Sequence, residues 1–134
     1  MKDGRYKYHS AQVPLYRSRL HVCIGHNLNE VYKATGISSG AAHPEDLDAW
    51  GAMCFQADRA TEHGVFILVR PNVPPGYVAH EAVHAVNYLL LRKGIQLDRK
   101  NDEPQAYLTE WVVALVHHAL RSKEVKAKKT IKLK

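Results

Sequence analysis

The stretch VFILVRPNVPPGYVAHEAVHAVNYLLLRKG, residues 65–94, limits what this chain can fold into more than any other. It opens on five consecutive apolar residues, Val65 to Val69, bounded by turn formers, which reads as a strand. Pro71, Pro74, Pro75 and Gly76 then rule out continuation inside a sheet. Proline suits the first turn of a helix, where its missing N–H is not needed. The spacing predicts a helix over about residues 76–93, stopped by Gly94. Val83, Ala85, Val86, Leu89 and Leu90 mark this helix as largely buried.

The remaining segments set the order of elements. Leu20–Ile24 reads as a strand, and NLNEVYKATG as a short helix starting near Asn27 or Asn29 and stopping at Gly36. ISSGAAHPEDLD, residues 37–48, is a loop. WGAMCFQA fits a strand, with helix as the alternative, and ADRATEHG is a turn. Strands near 51–56 and 65–70 would then form a hairpin. After the loop IQLDRKND, a second long helix spans about 103–122, with Pro104 in its first turn. The expectation is an α+β chain: a small sheet of about three strands, then two long helices.

At 134 residues the chain suits one domain, expected over 1–122, followed by a basic, flexible tail, 123–134. The net charge of +6 is uneven. Residues 1–19 carry five Lys/Arg and one Asp, and residues 121–134 carry seven Lys/Arg and one Glu. Such ends suit solubility, or contact with nucleic acid or an acidic partner. Cys23 and Cys54 match no metal or disulfide spacing and read as buried free thiols, in keeping with a reducing compartment. The N-terminus has no apolar signal region, and no apolar run approaches the ~20 residues of a membrane span. The expected location is the cytoplasm.

Within the first long helix lies His80-Glu81-x-x-His84. Residues i and i+4 share a helix face with Cβ atoms ~5–6 Å apart, so two imidazoles can converge on one ion. Glu81, one residue on, can reach a water at that ion without ligating it. Two polar rings and a carboxylate on a buried helix would need partners, and a metal would satisfy all three. A third ligand is still required. In one class of proteins with this motif, the metzincins, a third histidine follows along the same chain; that place here is Leu90, which cannot ligate zinc, so this chain does not resemble that class. Glu103 follows His84 by nineteen residues and leads the candidates, with Asp102 and Glu110 as rivals. Asp102 could instead cap the second helix. Glu110 lies ~10 Å further along the axis than Glu103, so both can hardly bind one ion. His117 and His118 lie further still.

HEAVH followed by EPQAY resembles the zincin metallopeptidases of the gluzincin type, in which a ligand Glu in a Glu-x-x-Ala context follows His-Glu-x-x-His. Glu103-Pro104-Gln105-Ala106 matches that context. HEAVHAVNY…DEPQAYL is most similar to small zincin-like peptidases of bacteriophages, and is near the ImmA/IrrE type in size. The resemblance covers residues 65–115 and implies a zincin-like fold. It implies one Zn²⁺ per chain on His80, His84 and Glu103, with Glu81 as general base in peptide-bond hydrolysis. A phage origin would place it in the host cytoplasm. Thermolysin-like enzymes carry Asp where this chain has Tyr107, which could donate a hydrogen bond, stabilise an oxyanion or simply pack. Glu110 would support a ligand or form an ion pair. The strand before the motif helix, Val65, Phe66, Ile67, Leu68 and Val69, is expected to offer an edge to an extended peptide substrate. The competing expectation is a nucleic-acid-associated zinc protein, SprT-like or a binding module, using the basic ends on DNA or RNA. A silent scaffold would have no need of Glu81.

Overall fold

The computed structural model describes residues 5–14, 16–34, 51–58, 63–122 and 127–128. Chain order is β1 (Tyr6–Gln12), β2 (Arg19–Ile24), α1 (Leu28–Ala34), β3 (Ala52–Asp58) and β4 (His63–Val69). Then come α2 (Pro75–Leu91), α3 (Glu103–Arg121) and the two-residue β5 (Ala127–Lys128). The fold is α+β, as expected, but the sheet is larger than three strands. Its spatial order is β3-β4-β2-β1-β5. β3 and β4 form the expected antiparallel hairpin, with Phe55 opposite Phe66. β2 and β4 pair in parallel, Leu20 beside Val65 and Ile24 beside Val69, while β1 and β2 are antiparallel.

The sheet is covered on both faces. β4 shows why: Val65, Ile67 and Val69 enter the core shared with α2 and α3. Phe66 and Leu68 enter a second core under α1, with Leu28, Val31 and Phe55. All five of these β4 residues are fully buried. This corrects the expectation of a substrate edge at Val65–Val69. β4 is flanked by β2 and β3, so its backbone is already paired on both sides. Among the described strands, β3 holds the outer place on that side.

Local signals explain the helices. Asn27 Oδ1 accepts from the Glu30 N–H at 3.1 Å and starts α1, one of the two expected sites. The expected stop at Gly36, the 37–48 loop and residues 59–62 of the 57–64 turn lie outside the described residues, and the other four residues of that turn belong to β3 and β4. Pro75 opens α2 as expected. Gly94 ends that helix in the left-handed region at φ 69°. The Ile95 N–H bonds to the Leu90 carbonyl and the Gly94 N–H to that of Leu91, both at 3.0 Å, a Schellman closure. Ile95 then packs on the core. Two tail residues, 127 and 128, pair with Lys7 and Tyr6 of β1. No described helix is long and apolar enough to cross a membrane.

Candidate metal and catalytic site

Helix α2 lies against the sheet through Val78, Glu81, Ala82, Ala85, Val86, Leu89 and Leu90. Glu81 is the only charged member of that buried set, at 9% exposure. Each helical residue turns ~100°, so His80 and His84 project from a different stripe than Glu81. The His80 side chain is 68% exposed, and His84 is also exposed. Val83, expected inside, is 48% exposed. The expectation of three buried polar groups therefore holds for Glu81 alone, because the histidines lie on the solvent stripe.

The two histidines nevertheless converge. His80 Nε2 and His84 Nε2 stand 3.2 Å apart, with ring centroids 4.9 Å apart and planes crossed at 75°. Two nitrogens bound at ~2.0–2.1 Å to one tetrahedral ion would be about 3.3 Å apart. The pair thus fits as two ligands of a zinc ion. The same spacing suits an N–H···N hydrogen bond when one ring is protonated at Nε2 and the other is not. Glu81 Oε2 lies 4.0 Å from His80 Nε2. That places the carboxylate beside the nitrogen pair and behind it, on the buried side.

Burial raises the Glu81 pKa above the usual carboxylate value, and the neighbouring His80 and His84 partly oppose this. Two further groups share that environment. Burial pushes the Cys54 thiol well up, and Glu81 adds to the effect. Burial also raises the Tyr88 phenol, with contributions from Cys54 and Glu81. Beside the motif is a cavity of about 530 Å³ lined by Ala52, Gly76, Tyr77, His80 and Glu81. Gly51, at φ 78°, makes room for its wall. A Cβ there would sit 2.9 Å from the Tyr77 ring.

Tyr77, Cys54 and Tyr88 are the neighbours that sequence reasoning missed. The signal was present in the spacing. Tyr77 and Tyr88 are four residues before and seven after Glu81 on α2, on one helix face. Cys54 shares the face of β3 that Ala52 and Gln56 turn toward α2, where Arg92 Nη1 meets Gln56 Oε1 at 3.4 Å.

No protein family, curated protein or solved structure matches the chain.

The remaining expected residues lie elsewhere. Glu103 opens α3 and lines a different cavity, together with Tyr107 and Pro14. Both side chains are exposed, as is Glu110. Asp102 occupies the position before α3 but makes no capping hydrogen bond with its side chain. Among the described residues, no third His, Cys, Asp or Glu joins His80 and His84 in a group able to hold a metal. The structure thus brings together His80, Glu81 and His84, while Glu103 and Tyr107 line the other cavity.

Proposed function

We propose that this protein is a metal-dependent peptidase working at His80, Glu81 and His84. The observation that carries the reading is the convergence of the two imidazole nitrogens at 3.2 Å with a buried carboxylate alongside. His80 and His84 would hold a zinc ion, and Glu103 is the proposed third ligand on the strength of the resemblance. When bound, zinc polarises a carbonyl and acidifies a water. Glu81 takes the proton from the attacking water and passes it to the departing amine. Its raised pKa suits the first task, because a carboxylate with a higher pKa is a stronger base toward the attacking water.

An extended peptide has a place to lie. β3 borders α2, and its Ala52 lines the same cavity as His80 and Glu81. The outer edge of β3 can add a substrate strand through main-chain hydrogen bonds, which demands little of the substrate's sequence. Tyr77 then walls the position next to the reacting carbonyl.

Zinc analysis of the purified protein and hydrolysis of an unfolded protein substrate test this. One zinc per chain is expected, lost in His80→Ala and strongly reduced in Glu103→Ala. Glu81→Gln should keep the zinc and lose turnover by roughly 10²–10⁴-fold. Full activity in Glu81→Gln would sink the assignment. Zinc loss in Glu110→Ala, with retention in Glu103→Ala, would exchange the third ligand.

A further inference from the structure

Helix α2 turns an uncharged face to solvent. Its 17 residues include one charged side chain, Glu81, and that one is buried. The exposed face therefore carries no lysine, arginine, aspartate or glutamate, in a chain that is 24% charged. A solvent face is where a helix ordinarily keeps its charges. Five large apolar side chains are exposed among the described residues, and three of them, Tyr77, Val83 and Leu91, project from α2. At ~100° per residue, His80, Leu91 and His84 fall within ~40° of arc. Val83 lies ~60° to one side of His80 and Tyr77 ~60° to the other.

A closed zinc site takes four ligands in a tetrahedron. His80 and His84 present two, their Nε2 atoms 3.2 Å apart, and the His80 side chain is 68% exposed. Among the described residues, no third His, Cys, Asp or Glu joins them. A second copy of the chain, turned about a two-fold axis, brings the same two rings to the two remaining positions. Such an interface sets each side chain near its own duplicate. A charged face would then oppose like charges, and the face of α2 has none to oppose. Val83, beside the axis, gains apolar cover that it lacks in the single chain.

We infer that His80 and His84 of two copies grip one zinc ion between facing α2 helices, and that this dimer is a closed, idle form of the site. Four imidazoles leave the ion no position for water. The inference rests on the two histidines being zinc ligands, as in the peptidase reading, but it needs neither hydrolysis nor Glu103. Mass action sets the balance: one zinc for two chains favours the dimer, and zinc in excess gives each chain its own ion.

Sedimentation velocity with metal analysis tests this on the purified full chain, without any turnover. With one zinc added for every two chains, at about 100 μM chain, a species of twice the monomer mass holding one zinc per two chains is expected. A chelator should return it to monomers. His80→Ala and His84→Ala should each stay monomeric at the same loading. Glu103→Ala and Glu81→Gln should still dimerise, since neither side chain is in the bridge. Val83→Lys, an exposed substitution, puts like charges beside the axis and should weaken the dimer at least about tenfold. Circular dichroism establishes that each variant is folded. A monomer at every zinc loading would overturn the inference. So would a dimer that survives the chelator, or one that forms in folded His84→Ala. Loss of the dimer in Glu103→Ala would put a carboxylate in the bridge and overturn it too. A failed peptidase reading shows itself separately, as full activity in Glu81→Gln or no hydrolysis at all, with the dimer intact.

Discussion

Glu81 carries an acid on a face otherwise made of Val78, Ala82, Ala85, Val86 and Leu89. Burial raises its pKa, so the folded chain keeps that proton to higher pH than the unfolded chain. Between the ordinary and the raised value the folded state binds more protons, and stability falls as pH rises. Above that window the loss is complete. Metal-free Glu81→Gln should therefore melt higher than the parent chain at pH 7, by an amount that closes toward about pH 4, where both forms are neutral. Thermal melts across this range check it, and a constant difference would contradict the burial argument. A second residue gives a steric prediction. Gly64 has φ 127°, and a Cβ there would collide with the Arg19 carbonyl oxygen. Gly64→Ala should lose more than about 2 kcal/mol in urea unfolding, because it combines backbone strain with a clash inside the sheet. At this scale the sequence was informative about residue type and less so about exposure. His80 and His84 share the helix with a buried face, but a rotation of ~100° about the helix axis separates the stripes.

Among the elements, α2 was the most legible. Its proline entry, its apolar spacing and Gly94 all point the same way. Gly94 has open space where a Cβ would go, so its role is purely one of backbone conformation. Gly94→Ala should lose about 1 kcal/mol, a fall of roughly 3–6 °C in melting temperature. β4 is legible as a strand, but it lies inside the sheet and not at the expected edge. An apolar run without alternation belongs to a strand buried on both faces, and such strands sit inside sheets. VFILV carried that message. β1, with the sequence YKYHSAQ, shows little apolar pattern, and most of its residues are only half-buried. Its strand is specified by pairing with β2 and by Tyr8, whose hydroxyl meets buried His21 Nδ1 at 2.7 Å. Neither partner is visible from a local window.

At the level of the molecule, one sheet serves two cores, and neighbouring β4 residues test them separately. Phe66 stacks between His21 at 4.2 Å and Phe55 at 5.2 Å, on the α1 side. Ile67 faces α2 and α3. Phe66→Ala should lose about 3–5 kcal/mol and Ile67→Ala about 2–5 kcal/mol in equilibrium unfolding. A near-neutral Phe66→Ala would mean that the α1 side contributes no core. The α+β class and the order of the long helices could be read from periodicity. The parallel pairing of β2 with β4 could not, because α1 and β3 intervene in the chain.

β5 has one more consequence. It sets residue 128 beside residue 6 across a ladder, so the first and last described strands are neighbours. A short peptide joining residue 128 to residue 6 would close a circle, which could be cut in the exposed segment at residues 96–101. Such a circular permutant would begin with α3 and end with α2, placing the strand-rich half in its middle. Every pairing partner would be retained although the order of synthesis is changed. An unaltered far-ultraviolet circular dichroism spectrum would show that this architecture is held by its contacts and not by the order in which the chain is made.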